Sequence, residues 1–529
     1  MKLNYKRTIF VGFAFFLISA FWQAYDTIIP MILTDKFGMS QFWSGAIMAL
    51  DNVFALILLP IFGALSDKIC SKHGRRTPFI VIGTVIAAIL LVGLSIPDAA
   101  QLQNIDSITA TEGEAYVEML DTLYDFNPEV NESDALNAAK KPLQEIFPNR
   151  EDFTSITVTE VDENGDTKTA KDYTTFVAPA RQAYAAHLTA QNYAPLILFM
   201  VLLFFVLVAM GTFRSPAVAL MPDVTIKPLR SKANAVINLM GSAGGILVLG
   251  LGILFGTGDA KNALMSYTTF FSVIAGVMLV ALAVFLWKVR EVKWAGEMQE
   301  ESARLGLDKA EEDSAEKSEM RKLSRGEKIS LILILASVVC WFMGYNAVTS
   351  KYSVYAKNVL DVNYNTTLII AQGAAIVSYL PVGILSSKLG RKKMILAGVV
   401  ILGGSFLGAS FLSASSPALV KSILMPALFA TAGIGWATIN VNSFPMVVEL
   451  SRGSNVGKYT GIYYTASMSA QVITPMLSGL LMDSIGMRTL FPYAAVFVAI
   501  AFVTMLFVRH GDAKPEAKEV ALSAMGGDD

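Results

Sequence analysis

Two matching stretches decide the fold of this chain: Gly63-Ala-Leu-Ser-Asp67-Lys-Ile-Cys-Ser-Lys-His-Gly74-Arg75-Arg76 and Gly383-Ile-Leu-Ser-Ser387-Lys-Leu-Gly390-Arg391-Lys392-Lys393. Each closes one apolar segment, opens the next, and concentrates positive charge in a very short link. A link repeated about 320 residues later indicates two related halves made of membrane helices, an architecture typical of secondary transporters.

The composition supports a membrane protein. Hydrophobic residues make up 54% of the chain and charged residues only 16%, with a mean hydropathy of +0.52. Apolar runs of at least about 18 residues indicate transmembrane helices. Twelve such spans are predicted, at 8–34, 42–64, 77–97, 191–213, 232–256, 264–288, 329–350, 364–386, 393–413, 418–441, 456–482 and 489–508.

The distribution of basic residues predicts the orientation. The links after the second, fourth and eighth spans are rich in Lys and Arg, and such links face the cytoplasm. With twelve spans, all three links and both termini lie on that side, so we expect a multi-pass protein of the cell membrane. The net charge of −1 gives no indication of nucleic-acid binding.

Long polar segments divide the chain. We predict a first six-helix half (1–97 plus 191–288), an extracytoplasmic insert (98–190), a cytoplasmic linker (289–328), a second six-helix half (329–508) and a disordered tail (509–529). The insert carries 18 acidic and 6 basic residues, a local charge of −12. Its Asn164-Gly165 lies between alternating polar and β-branched runs, a hairpin signal. The fold class is therefore an all-α membrane protein with a small α+β insert, although the insert could equally be a solvated spacer.

The repeated link also predicts a cytoplasmic gate. Glycine allows close backbone approach, and Asp67 can accept charge-assisted hydrogen bonds from Arg75 or from the N-terminus of a neighbouring helix. The links before the fifth and eleventh spans share a proline, an acid and an arginine. The predicted gate residues are Gly63, Asp67, Gly74, Arg75, Arg76, Asp223, Arg230, Gly383, Gly390, Arg391, Glu449 and Arg452.

These motifs resemble those of a known family. The first stretch, followed by Pro78-Phe79-Ile80, is similar to the signature of the major facilitator superfamily in the lengthened form found in sucrose/H+ symporters. Residues 219–223 and 233–235 resemble the link before the fifth span in the same group. The resemblance places the chain among glycoside–pentoside–hexuronide:cation symporters, nearest the sucrose branch. It covers nearly all spans but not the insert, where the family has a short link.

Two carboxylates within the spans are the predicted proton-coupling residues, Asp26 and Asp51. A charge in a membrane helix costs about 2.5–3.5 kcal/mol on insertion scales, so such residues indicate function. Both lie roughly 12–14 Å from the outer edge, at about 1.5 Å per residue. The resemblance supports Asp26, since the animal branch has an acid there. The sodium-using melibiose branch has carboxylates where this chain has Ala55 and Leu59, which favours protons over sodium.

A sugar site needs aromatic faces and side-chain amides. The predicted substrate-binding residues are Trp22, Gln23, Asn238, Trp341, Tyr345, Asn346, Gln372, Trp436, Asn440, Tyr463 and Gln471. Polar side chains in spans normally face the bundle interior, but helix packing explains any single one equally well.

The first functional hypothesis is proton-coupled symport of a disaccharide or glucoside by a monomer in the bilayer. A proton-coupled exporter of a drug or metabolite is the alternative, and a non-transporting receptor is the third. No nucleophile–base pairing, P-loop or metal-type Cys/His spacing is present in the sequence. We therefore expect no enzyme activity, cofactor or metal.

Overall fold

The chain forms nineteen described helices and one hairpin. The computed structural model describes residues 3–69, 71–126, 142–161, 167–226, 229–305, 324–413, 415–449 and 456–510. The elements are, in order, α1 (Tyr5–Met31), α2 (Gln41–Met48), α3 (Leu50–Lys68), α4 (Thr77–Gly93), α5 (Ser95–Asn104), α6 (Gly113–Asp125), α7 (Leu143–Ile146), α8 (Arg150–Thr154), β1 (Thr159–Val161), β2 (Thr167–Thr169), α9 (Ala178–Gln191), α10 (Ala194–Asp223), α11 (Arg230–Leu254), α12 (Thr268–Lys288), α13 (Glu291–Arg304), α14 (Arg325–Tyr355), α15 (Tyr364–Leu389), α16 (Arg391–Ser410), α17 (Ala418–Glu449), α18 (Val456–Ser484) and α19 (Leu490–Leu506). Cys70, Arg452 and the tail beyond residue 510 lie outside the described residues.

The long helices form the predicted twelve-helix bundle. Among the described residues, ten helical segments are long and apolar enough to cross a membrane. Helices α15 and α18, with 26 and 29 residues, complete the set. Helix α10 runs to Asp223, ten residues past the predicted end, and includes Pro216 and Pro222. Membrane helices tolerate proline because neighbouring groups satisfy the freed backbone, so neither proline marks an end.

The two halves repeat one packing pattern. In the first half α1 packs against α11 and α12, while α10 packs against α3 and α4. In the second half α14 packs against α18 and α19, while α17 packs against α15 and α16. Each contact has its counterpart in the other half, which confirms the pseudo-symmetry predicted from the repeated links. Among the described residues, the halves meet through four helix pairs, α1 with α14, α2 with α18, α3 with α18 and α11 with α15.

The insert between the third and fourth spans is folded. Strands β1 and β2 pair antiparallel, with Thr159 opposite Thr169, which confirms the predicted hairpin. Its turn, residues 162–166, lies outside the described residues. A separate apolar cluster, including Leu120, Phe153 and Tyr173, forms the core of the insert. The insert is therefore a small α+β unit with its own core rather than a solvated spacer. We call the end of the bundle that carries it the insert face, and the opposite end, with both termini, the terminal face.

Polar contacts between the halves lie at the insert face and in the middle of the bundle. Lys357 donates to Asp35 at 2.7 Å, and their side chains are 1% and 9% exposed. Asp483 accepts from the backbone amides of Gln41 and Phe42 at 2.8 and 2.7 Å. The Lys351 ammonium, fully buried, donates to the carbonyl of Gln41 at 2.6 Å. These contacts close the insert face in this structure.

Candidate functional site: a central polar cluster and a charged link at the terminal face

The first half contributes a charged aromatic cluster from α1, α3 and α10. The Arg214 guanidinium lies 5.4 Å from the ring centroid of Trp22, a cation–π distance. Trp22 in turn packs edge-on against Tyr25, with centroids 5.3 Å apart. Tyr25 is within electrostatic range of both Asp26 and Asp51. The structure therefore brings the two predicted carboxylates together around one tyrosine.

Asp51 interacts with opposite charge and with a neighbouring amide. Its carboxylate accepts from the Asn52 side chain at 2.6 Å and is within electrostatic range of Arg214. Asp26 and Asp51 are both partly buried. One arginine and two carboxylates in a half-buried cluster leave one excess negative charge when both acids are ionised. Taking up a single proton would make the cluster neutral.

The second half contributes an aromatic platform. Tyr345 of α14 and Trp436 of α17 are stacked in parallel, with ring centroids 3.6 Å apart and planes 1° apart. Phe342 packs edge-on against the same indole at 5.2 Å. This fixed pair of rings presents a flat apolar surface of the kind that can pack against the C–H face of a sugar ring.

Amide side chains connect the halves in the middle of the bundle. Gln372 of α15 donates to Gln23 of α1 at 2.6 Å. Gly245 of α11 makes room for this pair, since a Cβ there would lie 3.3–3.4 Å from both amide oxygens. The contact brings together two residues that were predicted from opposite halves of the sequence.

Several buried polar atoms near this level have no hydrogen-bond partner among the described residues. They are the Nε1 of Trp22, the hydroxyl of Tyr25, the Nδ2 of Asn346 and the Oδ1 of Asn440. Buried polar groups in folded proteins are nearly always paired, and each unpaired group costs free energy. These atoms are therefore available to hydrogen-bond a polar ligand.

Other predicted substrate residues are less accessible. Trp341 and Tyr463 are fully buried in the core, and the Tyr463 hydroxyl contacts Ser443 at 2.9 Å between α17 and α18. Asn238 and Gln471 are half-buried on α11 and α18. These four residues stay predictions as ligand contacts.

Sequence reasoning missed Tyr25, Arg214 and Phe342. Tyr25 lies three positions from Trp22 on the same helix, a spacing that could have indicated it. Arg214 was assigned to the link after the fourth span, predicted to end at residue 213, whereas it lies within α10. An arginine directly after a long apolar run was the available signal.

The predicted gate forms an ion cluster around the buried Arg76 at the terminal face. Arg76, 5% exposed, donates to Asp67 at 2.5 Å and to Asp223 at 2.8 Å. Arg75 also binds Asp223 through two nitrogens, at 2.6 and 3.1 Å. Asp67 therefore binds Arg76 rather than the expected Arg75, whose guanidinium binds Asp223 at the end of α10. The hydrogen bond with Asp223 raises the pKa of Arg75 above its usual value.

The linker helix α13 completes this cluster through Glu291, which the sequence analysis did not identify. Its buried carboxylate accepts from the amides of Arg75, Arg76 and Thr77 at 2.7–2.8 Å and from the Thr77 hydroxyl at 2.7 Å. These amides begin α4, where the helix dipole favours negative charge. Gly74, with φ of +109°, leads into this turn, and a Cβ there would lie 2.1 Å from the carboxyl carbon of Glu291.

The remaining predicted gate residues cap helix ends. Arg230 donates to the carbonyls of Pro222 and Thr225 at 2.9 and 3.2 Å. In the second repeat, Arg391 donates to the carbonyl of Pro445 at 3.2 Å, and Gly390 has a φ of +92°, equivalent to Gly74.

Two further gate positions are glycines that lie on helices. Gly63 of α3 faces Ser215, whose hydroxyl would be 2.8 Å from an added Cβ, and Gly383 is buried on α15. Glu449 ends α17, and nothing is described of its side chain.

Comparison with known proteins shows the family. The Major Facilitator Superfamily model matches residues 176–442 and 368–524, and a model described as MFS/sugar transport protein matches residues 10–103. Sucrose transport protein SUC3 of Arabidopsis thaliana is 37% identical over 60 residues, which is 11% of this chain and 10% of that protein. The match therefore spans about a tenth of that relative's length.

Solved structures share the fold over nearly the whole chain. A D-xylose-proton symporter has a TM-score of 0.57 at 16% identity, with 96% of this chain and 99% of that chain covered. The inward open xylose transporter XylE from E. coli has a TM-score of 0.56 at 15% identity, with 97% and 98% covered. The nucleoside transporter NupG has a TM-score of 0.53 at 12% identity, with 95% and 100% covered. At these identities the likeness establishes the fold alone.

The family models together span well over half of the chain, and the fold agrees with them. The family and the structural neighbours are transporters of small molecules, which confirms the expectation that the chain is not an enzyme. This chain belongs to the Major Facilitator Superfamily and is a multi-pass membrane transporter.

Proposed function

We propose that this transporter carries out proton-coupled symport of a neutral sugar, a disaccharide or glucoside, and that it belongs to the sucrose/H+ branch of the glycoside–pentoside–hexuronide:cation symporters. The observation that carries the proposal is the central cluster. It combines two carboxylates, a stacked aromatic pair and buried polar atoms without hydrogen-bond partners. The local match to a sucrose transport protein supports the same class.

The substrate would lie between the two halves. The Tyr345–Trp436 platform would pack against an apolar ring face, while Asn346 and Asn440 would pair with hydroxyls that replace their missing partners. Burial of unpaired amides is costly, so a ligand with several hydroxyl groups gains the free energy of satisfying them. An apolar ligand would leave these atoms unpaired.

Proton coupling would use Asp26 as the carrier, with Asp51 modulating it. Arg214, which lies over Trp22 and near Asp51, would attract the ionised carboxylates. Protonation would weaken the attraction between Arg214 and the cluster and thereby free polar groups for substrate. Proton binding and sugar binding would thus be coupled, because both depend on the charge of the same cluster.

The chain would act as a monomer in the cell membrane, with the insert face outside and both termini in the cytoplasm. The Lys- and Arg-rich links that end at the terminal face support this orientation. We also propose the division of the chain into two halves, insert, linker and tail that was predicted from the sequence.

Purified protein in liposomes tests the proposal. Counterflow of labelled sucrose and maltose is measured first, then sugar-dependent alkalinisation under an imposed pH gradient. Asp26→Asn should keep counterflow and reduce proton uptake at least about tenfold, while Asp152→Asn, an exposed acid of the insert, serves as the matched control.

Proton uptake that is undiminished in Asp26→Asn would overturn the coupling role. If no sugar exchanges, but an imposed proton gradient expels a hydrophobic cation, the chain is an exporter instead.

A further inference from the structure

We propose that the insert is a strap that moves with the first half and must separate from the second half whenever the insert face opens. The inference rests on alternating access by the proposed transporter and concerns the insert, which the family's short link does not contain. Its geometry is asymmetric: the insert is packed tightly on one half, and it contacts the other through the Thr169–Asp361 hydrogen bond and a pair of turns.

The attachment to the first half is close and well packed. Gly38 approaches the insert so closely that an added Cβ would lie 2.2 Å from the amide nitrogen of Ala186. Gln101 donates to the carbonyl of Lys36 at 2.8 Å, and Gln182 donates to the carbonyl of Met39 at 3.2 Å. The apolar cluster of the insert also includes Ala260 from the link before α12. Close packing of this kind holds the insert to the first half as one body.

The contact with the second half is polar and encloses space. The amide of Thr169 on β2 donates to Asp361 at 3.2 Å, and the π-helical turn Tyr173–Val177 touches the turn Ala356–Leu360. Around the Thr169–Asp361 hydrogen bond lies a cavity of about 490 Å³, lined by Lys171 of the insert and Lys421 of α17, among others. A contact that leaves this much space unfilled can separate at modest cost, unlike a packed core.

The position of this contact couples it to the closed state. The turn Ala356–Leu360 holds Lys357, which pairs with Asp35 of the first half across the closed insert face. The first half and the insert therefore contact the same turn of the second half. When the halves rotate apart at this face, the hydrogen bond of Thr169 and the ion pair of Lys357 must break together. The strap thus favours the conformation closed at the insert face.

A thiol reporter tests the strap without knowledge of the substrate. The parent protein for the test has Cys70→Ser and Cys340→Ser. Ser44→Cys is the reporter, because Ser44 is fully buried on α2 and its hydroxyl has no hydrogen-bond partner among the described residues. A membrane-impermeant maleimide added at the insert face labels it when that face opens, and mass spectrometry of the peptide measures the rate.

Two comparisons decide the outcome. Asp361→Gly removes the acceptor and suits the left-handed φ of +51°, whereas Asp361→Asn keeps an acceptor there. Labelling should be about three- to tenfold faster in the glycine variant and near the parent rate in the asparagine variant. Joining Thr169→Cys to Asp361→Cys with a short bifunctional thiol reagent should slow labelling at least tenfold. The matched control joins Thr159→Cys to Thr169→Cys, which lie opposite each other within the hairpin.

Equal labelling rates for the two cross-linked proteins would overturn the proposal, as would an unchanged rate in Asp361→Gly. Because the reporter detects opening alone, it gives an answer even if the protein moves no sugar or proton. Failure of the symport hypothesis is thereby kept apart from failure of the strap.

Discussion

Breaking the buried ion pair between Asp35 and Lys357 should open the insert face. The pair joins the two halves at 2.7 Å with almost no exposure to solvent. Asp35→Asn leaves the Lys357 ammonium buried beside the Met31 sulfur, 4.0 Å away, and within range of a second buried ammonium, Lys36. Lys36 keeps its own buried partner, Asp98, so the variant removes the anion that neutralises Lys357 and adds no substitute.

The expected magnitude follows from the geometry. At an effective dielectric constant of about 20, two unit charges at this separation attract by about 6 kcal/mol before desolvation is counted. Removing one member of a buried pair costs about 3–5 kcal/mol, since the other is left uncompensated. If the pair exists only when the insert face is closed, the closed state loses this amount. A change of about 1.4 kcal/mol is tenfold, so the ratio of open to closed protein should rise by about two to four orders of magnitude.

The assay is maleimide labelling of Ser44→Cys from the insert face. Asp35→Asn should raise the labelling rate until the open state dominates, and the exposed Asp152→Asn should leave the rate unchanged. The double variant Asp35→Asn with Lys357→Met removes both charges, so much of the closed state should return. A single variant that labels at the parent rate, or a double variant as fast as the single one, would refute the reasoning.

Three further outcomes are expected from local contacts. Glu291→Gln replaces a carboxylate that accepts four hydrogen bonds. The free energy of unfolding should fall by about 1.5–3 kcal/mol, so the protein in detergent should unfold at a lower temperature. An unchanged melting curve would contradict this. Gly74→Ala should lower the stability of the protein at least as much, because its φ is +109° and the added methyl group would clash with the Glu291 carboxylate. Gly296→Ala is the control and should leave the stability unchanged, since the space around Gly296 is open. In transport assays Trp436→Leu should raise KM for the sugar about tenfold through loss of the stack with Tyr345, whereas Trp436→Phe should recover most of the affinity; equal KM values in both variants would argue against the platform.

The membrane helices could be predicted because their signal is local. Burial in lipid requires about twenty apolar residues in a row, and this requirement is written directly in the chain. The repeated glycine links indicated two halves, and the equivalent positive φ values of Gly74 and Gly390 agree with that repeat. The hairpin of the insert was also predicted from a local signal. The end of α10 has no such local signal, because its prolines are accommodated by neighbouring helices rather than by the helix itself.

Contacts between residues that are distant in the sequence could not be predicted from a local signal. The sequence indicated that Asp67 would bind an arginine, but the direction in which each guanidinium points depends on how α3, α4 and α10 pack, and it selected Arg76. The role of Glu291 depends on α13 folding back onto the start of α4, more than 200 residues away in the chain. Such contacts leave no periodic pattern in the sequence from which they could be predicted.

The sequence alone therefore determined the membrane, the twelve helices, the internal repeat and the candidate acids, because lipid imposes composition and length on each helix separately. Only the tertiary structure decided which residues meet. It placed Tyr25 within electrostatic range of both carboxylates, Gln23 against Gln372, and Asp35 against Lys357. Those pairings arise from the relative position of two halves packed face to face, which no segment of the chain encodes by itself.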